Sequence, residues 1–261
     1  MTTRIASVRP DGGEPMAPAD PTDAIPEGRP APVVVTVSDG IHIARIDDGK
    51  ANALTPAVFE ALTAALDDVE SGDEAGALVL TGRPGMFSGG FDLTIMKRGD
   101  RSTLDLVTDG GEFVRRCYAS PVPVVAACSG HAVAAGCFLL LGSHHRVGAA
   151  GDVRFQLIET QIGMPLPAWA VEICRERLVV TQLQRATVES RTYDPEGARE
   201  AGFLDRVVPA GSVLDEALVE ARRLADLPAP AYGTNSRHLR LPGAARMEAA
   251  LDHDREAAAG L

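Results

Sequence analysis

Two segments of small residues stand where an apolar run gives way to a helical pattern. They are Phe87-Ser88-Gly89-Gly90-Phe91-Asp92-Leu93 and Ser129-Gly130-His131-Ala132 through Gly136. At such strand-to-helix turns the first backbone N–H groups have no intrahelical acceptor, so they can bind an oxygen that carries or gains negative charge. The alternative is a pair of tight turns with no chemical role, because such turns occur in every α/β fold.

Known motifs with glycine-bearing turns do not fit either segment. Cys137 stands where a phosphate-binding loop needs lysine, and the chain has no G-x-G-x-x-G dinucleotide fingerprint. The G-x-S-x-G elbow of serine hydrolases also fails, since Met86 and Ala127 occupy the first glycine position before Ser88 and Ser129. A serine hydrolase is therefore a weak alternative, and backbone donors remain the best-supported chemistry.

The composition limits the partners and the compartment. The chain has 261 residues with 36 acidic and 25 basic side chains, a formal net charge of −11, which argues against a nucleic-acid partner. No apolar run is long enough for a signal peptide or a membrane span, so we expect no membrane contact. The four cysteines, Cys117, Cys128, Cys137 and Cys174, form no C-x-x-C pair. Reduced thiols in a cytoplasmic protein are the expected state.

The elements that must position the two turns begin after a proline-rich leader. Residues 1–31 carry many prolines and few apolar side chains, which predicts disorder. From Val33 two β-rich runs flank the hairpin turn Asp39-Gly40, and Thr55-Pro56 begins an amphipathic helix. Buried strands at Ala77–Thr81 and Val122–Cys128 each precede one of the turns, and alternating strands and helices predict parallel pairing.

The second half of the chain is predicted to be mostly helical. After Pro167 helical patterns cover 168–177, 181–189, 195–201, 212–227 and a last helix from about Pro230. We therefore expect three regions: the leader at 1–31, an α/β core at 32–210, and a C-terminal helical region at 211–261. The last helices carry more Ala and Leu than we expect one subunit to bury, which predicts packing against a neighbouring subunit.

Several motifs in one consistent order resemble the crotonase family, the enoyl-CoA hydratases and isomerases. The run Ala77–Gly82 with Phe87–Leu93 is similar to its first signature, T-G followed by F-S-A-G-x-D-L. Pro121–Ala127 with Ser129–Gly136 is similar to its second, K-P-V-I-A-A-V-N-G-x-A-x-G-G-G. Asn52-Ala53-Leu54 and Ala201–Pro209 match two further motifs, and the whole pattern is most similar to a bacterial branch labelled enoyl-CoA hydratase.

The resemblance implies a fold, an assembly and a substrate class. The fold would be a spiral of ββα units with a C-terminal helical region used for trimerisation, giving a homotrimer or a hexamer. The substrate would be an acyl-CoA thioester, with coenzyme A entering as part of the substrate and no separate cofactor or metal. Two backbone amides that map onto Phe91 and Ala135 would form an oxyanion hole. Ala134-Ala135-Gly136 replaces the family's triple glycine, which we expect to be tolerated only if neither alanine needs a positive φ angle.

The acid/base residues show one departure from the hydratase pattern. Family hydratases use two glutamates; the second maps onto Glu159 and the first onto Phe138. A phenyl ring cannot hold or activate water, so the two-glutamate mechanism cannot operate here. A single glutamate is typical of the family's 3-enoyl to 2-enoyl isomerases. Hydration by Glu159 with a water held by other groups stays open, as does a non-catalytic acyl-CoA-binding protein.

The remaining site predictions concern substrate contacts and histidines. By resemblance, Lys50, Ala51 and Ala53 lie near the nucleotide end of coenzyme A, and Asp92, Leu93 and Phe138 contact the substrate. Asp92 is also expected to cap the loop that follows it through local backbone hydrogen bonds. We interpret His131, His144 and His145 as structural, because no third metal ligand accompanies the His144-His145 pair.

Overall fold

The computed structural model describes residues 31–72 and 76–259, so the predicted disordered leader lies almost entirely outside the described residues. The strands, in chain order, are β1 Val33–Ser38, β2 Ile41–Ile46, β3 Ala53–Leu54, β4 Ala77–Thr81, β5 Gly85–Ser88, β6 Gly90–Phe91, β7 Val124–Cys128, β8 Gly130–Val133, β9 His145–Ala149, β10 Phe155–Gln156 and β11 Arg206–Val208. The α-helices are α1 Pro56–Ser71, α2 Leu93–Met96, α3 Arg101–Ala119, α4 Ala135–Gly142, α5 Ala168–Arg177, α6 Leu183–Thr187, α7 Pro195–Ala201, α8 Val213–Ala225 and α9 Ala229–Ala259. Short 3₁₀ turns cover Thr160–Ile162, Val180–Gln182 and Ala210–Ser212.

A six-stranded sheet forms the centre of the fold. Its strand order is β1-β2-β4-β7-β9-β11; β1 pairs with β2 antiparallel, and the other neighbours pair in parallel. The inner strands β4 and β7 are buried at every position, which is the pattern of parallel strands covered on both faces. The apolar runs that predicted buried strands are therefore the middle of this sheet.

The chain winds through the sheet as a spiral of repeated strand-strand-helix turns. After each of β4, β7 and β9 it makes a short strand, β5, β8 and β10 respectively, in a second sheet of order β10-β8-β5. These short strands are also parallel to one another. Each then leads toward a helix, so the turns between short strands and helices gather at one side of the molecule. This geometry brings the two glycine-bearing segments together.

Helices cover both faces of the large sheet. On one face α1 begins at its N-cap Thr55, whose side chain accepts the amide of Val58, with proline at the first helical position as predicted. Its buried apolar stripe, the side chains of Val58, Phe59, Leu62, Ala65, Leu66 and Val69, joins the main core. On the opposite face α8 buries Val213, Ala217 and Ala221 against the sheet.

The predicted elements agree with the structure in type and differ at their ends. The helix predicted at 181–189 is a 3₁₀ turn followed by the short helix α6, and the run from Val122 becomes a strand only at Val124. The chain between Pro121 and Pro123 is bent before the strand, because prolines have no N–H to donate to a ladder. The last helix tolerates Pro242 in its interior.

The C-terminal region packs on its own chain through a large part of its apolar surface. In α9 the side chains of Ala244, Met247 and Leu251 are buried in the main core. The elements that α9 contacts most extensively are α3 and α5. The apolar side chains on this face are thus covered within one subunit. Leu239 and Leu241 remain 75% and 64% exposed, and packing of this region against a neighbouring subunit stays a prediction.

The helices within residues 31–72 and 76–259 do not meet the requirements of a bilayer. Not one of them combines the length and the apolar character that crossing a membrane demands.

Candidate active site

The first predicted donor, the amide of Phe91, lies in the short strand β6. This strand pairs in parallel with β3, and the amide of Asp92 donates to the carbonyl of Leu54 at 3.0 Å. Because successive amides of an extended strand point to opposite sides, the N–H of Phe91 points away from β3. The Asp92 carboxylate then accepts the amides of Thr94 at 2.7 Å and Ile95 at 3.1 Å. The predicted capping role of Asp92 is confirmed, and it fixes the chain immediately after Phe91.

The second predicted donor, the amide of Ala135, is the first N–H of α4. On one side of it the amide of Ala134 donates to the carbonyl of Gln156 at 2.9 Å, and on the other the amide of Cys137 donates to the carbonyl of Ala134 at 2.8 Å. No acceptor for the Ala135 amide lies among the described residues, as expected at a helix start. A helix N-terminus also carries partial positive charge, so this amide is suited to bind an oxygen.

The two donor segments touch each other. A Cβ placed on Gly90 would lie 2.9 Å from the Cβ of Ala134 and 3.1 Å from the nitrogen of Ala135. Gly90 therefore has to be glycine for steric reasons, and its φ of +98° independently favours glycine. The residues preceding the two predicted donors lie face to face, so the structure brings the sequence-distant segments around Phe91 and Ala135 next to each other.

Ala134 adopts a conformation that was not expected from the sequence. Its φ is 50° and its ψ is −126°, a region that is costly for a residue with a side chain. The condition under which the two alanines were expected to be tolerated, that neither needs a positive φ, is therefore not met at Ala134. Hydrogen bonds on both sides of the residue hold it there, because releasing the strain would require breaking the bond to Gln156 or the first turn of α4.

We predict that Ala134→Gly stabilises the protein. The substitution removes the cost of a positive φ at a residue with a Cβ, which raises the free energy of unfolding by roughly 1–3 kcal/mol. It also lowers the free energy of unfolding by about 0.4–1 kcal/mol, because glycine has more freedom than alanine in the unfolded chain. The expected net gain is about 1 kcal/mol in the free energy of unfolding, measured by urea denaturation. Ala132→Gly on β8, which removes a buried methyl group without positive φ, should instead destabilise. A destabilised Ala134→Gly protein would show that this conformation is not strained.

Glu159 lies three residues after Gln156 of β10, whose carbonyl accepts the amide of Ala134 just before α4. The Glu159 carbonyl accepts the amides of Ile162 at 3.1 Å and Met164 at 2.9 Å, which tightens the turn around it. Burial raises the pKa of its carboxyl group to about 7. The Oε2 atom is buried and has no hydrogen-bond partner among the described residues. Burial, and to a smaller extent the Glu159 carboxyl, also raises the pKa of the Cys137 thiol in α4 and of the Cys174 thiol in α5.

Hydrogen bonds of the buried Gln156 side chain support the turn that contains Glu159. The Gln156 side chain donates to the Oε1 of Gln161 at 2.9 Å and to the carbonyl of Ser190 at 2.8 Å. The Ser190 hydroxyl in turn accepts the amide of Gln161 at 3.3 Å. Since the Gln156 carbonyl also accepts the amide of Ala134, one residue ties the carboxylate turn to the second donor. Gln156 was not predicted from the sequence, because an isolated glutamine carries no pattern.

Phe138 is an apolar, buried residue of α4. Its side chain is only 1% exposed, and its ring meets the Trp169 ring edge-on, with centroids 5.2 Å apart. The helix α4 contains no acidic residue. Phe138, packed against Trp169, is the residue that the resemblance aligns with the family's first glutamate. Direct contact of Phe138 with substrate stays a prediction.

Two adjacent glycines of α3 create room for the aromatic side chains of the site. A Cβ on Gly110 would lie 2.6 Å from Cε1 of Phe91, and a Cβ on Gly111 would lie 2.7 Å from Nε1 of Trp169. Glycine is unfavourable inside a helix, so a pair of glycines in mid-helix is a signal of close packing that the sequence alone carries. The motifs that predicted the site do not include this pair.

The loop predicted to meet the nucleotide end of coenzyme A is organised by one carboxylate. Asp48 accepts the amides of Lys50 at 2.7 Å, Asn52 at 2.8 Å and Ala53 at 3.0 Å. Burial opposes the charge of Asp48, but these amides hold the pKa of its carboxyl below the usual value. The Ala51 carbonyl accepts the amide of Gly89 at 2.7 Å, so the loop adjoins the first donor segment. Contact of Lys50, Ala51 and Ala53 with substrate stays a prediction.

The other residues singled out by sequence lie outside this arrangement or face solvent. The Nδ1 of His131 accepts the amide of Arg154, and His144 Nδ1 lies 2.6 Å from the Tyr232 hydroxyl, so both make structural contacts. His145 lies 3.8 Å from the Asp205 carboxylate. The side chain of Leu93 is 62% exposed. Among the described residues no cluster of His, Cys, Asp and Glu is placed to hold a metal ion.

Comparisons with known proteins agree with the resemblance found in the sequence. A family model described as enoyl-CoA hydratase/isomerase matches residues 36–258. A putative enoyl-CoA hydratase of Thermus thermophilus is 31% identical over 223 residues, 80% of this chain and 85% of that protein. The human mitochondrial enoyl-CoA delta isomerase 1 is 27% identical over 219 residues, 82% of this chain and 72% of that protein. A solved apo structure of an Mtb enoyl-CoA isomerase shares 38% identity and a TM-score of 0.81, covering 87% of this chain and 98% of that one. The predicted α/β spiral fold is confirmed by this likeness.

Proposed function

The chain belongs to the enoyl-CoA hydratase/isomerase family, and we propose that it is an isomerase that converts a 3-enoyl-CoA thioester into the 2-enoyl isomer. The observation that carries this proposal is the Glu159 carboxyl, whose Oε2 is buried without a hydrogen-bond partner among the described residues, together with the buried Phe138 on α4, a helix that has no acidic residue to act as a second carboxylate. The likeness to an enoyl-CoA isomerase structure supports it. The substrate class follows from the family, whose members act on acyl-CoA thioesters.

In this mechanism two backbone amides hold the thioester oxygen. The amides of Phe91 and Ala135 donate to it more strongly as it becomes an enolate, so they stabilise the transition state more than the ground state. Their side chains are free to vary, because the backbone supplies the contact. The close approach of Gly90 to Ala135 and the free N–H at the start of α4 support this assignment.

Glu159 carries the proton in both halves of the reaction. Its carboxylate removes a proton from C2, and the electrons spread over the enolate oxygen and the C2–C4 segment as a dienolate. The neutral carboxylic acid then returns the proton to C4, which leaves the double bond between C2 and C3. A pKa of about 7 suits a group that must accept and donate a proton near neutrality. The reaction consumes no water and needs no second carboxylate.

Hydration of a 2-enoyl-CoA is the second candidate, and the similarity to a putative enoyl-CoA hydratase favours it. Glu159 would then activate a water that a backbone group or another side chain holds, since Phe138 cannot. A third candidate is a protein that binds acyl-CoA without turnover, in which the acyl chain lies out of reach of Glu159.

One paired assay separates these candidates. The enzyme is incubated with a 3-enoyl-CoA and, separately, with a 2-enoyl-CoA of the same chain length, and the ultraviolet band of the conjugated thioester is followed. We expect the band to appear from the 3-enoyl substrate. If the band instead disappears from the 2-enoyl substrate faster than it appears from the 3-enoyl substrate, the protein is a hydratase. Binding of both ligands with an unchanged band would identify a non-catalytic protein.

The pH dependence of the isomerase rate tests the role of Glu159 as a base. Since burial raises the pKa of this carboxyl to about 7, the carboxylate needed to take the C2 proton accumulates only as the pH rises through that value. We expect kcat/KM to increase about tenfold per pH unit below pH 7 and to level off above it. Steady-state rates between pH 5 and 9 give the profile. If kcat/KM instead levelled off near the ordinary pKa of a carboxyl group, Glu159 would not be the base.

A further inference from the structure

We propose that Ser88 is a positioning residue that fixes the two backbone donors relative to each other. From the sequence Ser88 was considered only as a nucleophile, and the structure does not leave it free for that role. It is fully buried, and its hydroxyl donates to the carbonyl of Asn52 at 2.8 Å. The inference rests on the proposed function, because the donors matter only if they bind the thioester oxygen.

The hydroxyl of Ser88 holds the first donor segment. Besides donating to Asn52, its Oγ accepts the amide of Gly90 at 3.1 Å. Gly90 has a φ of +98° and no side chain to restrict rotation, so this hydrogen bond anchors the peptide plane between Gly89 and Gly90, one plane before the one that carries the Phe91 N–H. The Ser88 hydroxyl therefore fixes the chain on the N-terminal side of Phe91, and the pairing of β6 with β3 fixes it on the other side.

The backbone of Ser88 contacts the second donor segment. A Cβ on Gly136, the residue after Ala135, would lie 2.3 Å from the carbonyl oxygen of Ser88. The first turn of α4 thus rests directly on Ser88, with no room for a side chain between them. Ser88 therefore contacts the neighbours of both Phe91 and Ala135.

Asn52 makes the position of Ser88 rigid. Its side-chain amide donates to the carbonyls of Met86 at 2.9 Å and Phe87 at 3.1 Å, while its own carbonyl accepts the Ser88 hydroxyl. Asn52 is itself fully buried. The hydroxyl is therefore held in one orientation: its O–H points at the Asn52 carbonyl, and a lone pair of its oxygen faces the Gly90 N–H.

The test is Ser88→Ala, compared with Ser143→Ala. Ser143 is an equally buried serine at the other end of α4, and its hydroxyl donates to the carbonyl of Leu139 at 2.8 Å. We expect Ser88→Ala to lower kcat for the 3-enoyl-CoA about 10- to 100-fold, less than the loss of a whole donor. KM should change less than about threefold, and the pH limb of Glu159 should not move. Ser143→Ala should lower the melting temperature by about as much as Ser88→Ala does, and it should leave kcat within about twofold of wild type.

A vibrational measurement reports directly on the donors. Hydrogen bonds to a carbonyl lower its stretching frequency, so the thioester C=O of a bound, non-reacting saturated acyl-CoA should shift down in the wild type. Ser88→Ala should reverse part of that shift, and Ser143→Ala should not. Ser88→Cys, which keeps a weak donor and acceptor, should give an intermediate frequency and kcat, and it replaces the alanine variant if that protein does not fold.

Three results would overturn the inference: Ser88→Ala or Ser88→Cys with the wild-type frequency and kcat, equal loss of kcat in the Ser88 and Ser143 variants, or a displaced pH limb. Failure of the proposed function is a separate result. It would appear as a wild-type protein that binds the acyl-CoA without turnover, and the carbonyl frequencies of the bound ligand would still test the role of Ser88.

Discussion

Glu159→Gln is expected to lower kcat for isomerisation about 10³-fold or more, while leaving the affinity for acyl-CoA close to that of the wild type. Glutamine has nearly the same size but cannot accept the C2 proton, and general acid–base catalysis contributes up to about 10⁴-fold. Binding should persist, because the proposed contacts to the thioester oxygen come from the backbone. Stopped-flow or steady-state rates with a 3-enoyl-CoA, together with calorimetric binding of a saturated acyl-CoA, measure the two effects.

The same variant should change how stability depends on pH. Burial raises the pKa of Glu159 from 4.5 to about 7, so between these values the folded protein binds more protons at this site than the unfolded chain does. The wild-type free energy of unfolding should therefore fall as the pH rises through this window, by roughly 3 kcal/mol in total from this group. Glu159→Gln should lack this component of the slope, which urea titrations from pH 4.5 to 8 can resolve.

Glu196→Gln is the matched control for removing a carboxylate. Glu196 lies in α7 and is 62% exposed, and within the part of the chain that the structure describes it forms one ion pair, with Arg199 on the same helix. Its loss should leave kcat unchanged and alter stability by less than about 1 kcal/mol. A Glu159→Gln protein that keeps most of its rate would show that another group carries the proton. An unchanged pH slope would show that the Glu159 carboxyl is not desolvated.

The parts of this fold that sequence could predict are those governed by local physics. Thr55-Pro56 specifies the start of α1 because a capping side chain and a proline each satisfy a local requirement of a helix N-terminus. The apolar runs of β4 and β7 predict buried parallel strands because both faces of such strands are covered. The position of Glu159 followed from a family motif, and the apolar residues Phe138 and Leu157 predict desolvation that raises the pKa of its carboxyl group. The structure gives the same direction of shift.

The parts that sequence could not predict depend on contacts between distant segments. Nothing in the local sequence of Ala134 indicates a positive φ, since alanine disfavours it and only the bond to Gln156 and the first turn of α4 impose it. The last helices were expected to carry more Ala and Leu than one subunit buries, and the sequence does not show which of these residues, such as Met247 and Leu251, are covered by α3 and α5 of the same chain. Asp48, Gln156 and Ser88 were missed as supporting residues, because each acts through hydrogen bonds to backbone groups that have no sequence signature.

The second large effect is expected from Gly90→Ala, which should lower kcat about 10²- to 10³-fold without touching the acid/base group. The added methyl would lie 2.9 Å from the Cβ of Ala134 and 3.1 Å from the nitrogen of Ala135, closer than packed atoms allow. The two segments must separate, so the amides of Phe91 and Ala135 can no longer both reach one oxygen. Losing one such donor costs about 10²- to 10³-fold. The pH limb of Glu159 should stay at about 7.

Gly85→Ala separates this steric effect from the conformational cost of placing alanine at a positive φ. Gly85 has a φ of +80° and lies at the start of β5, but a Cβ there would meet nothing within 4 Å. Both variants should therefore lose stability, by about 1 kcal/mol for the φ angle alone, and only Gly90→Ala should also lose kcat and the low carbonyl frequency of a bound acyl-CoA thioester. If the two variants were equally active at a temperature where both are folded, the gap between Gly90 and Ala135 would have no bearing on catalysis. The amides of Phe91 and Ala135 would then not be acting on a shared oxygen.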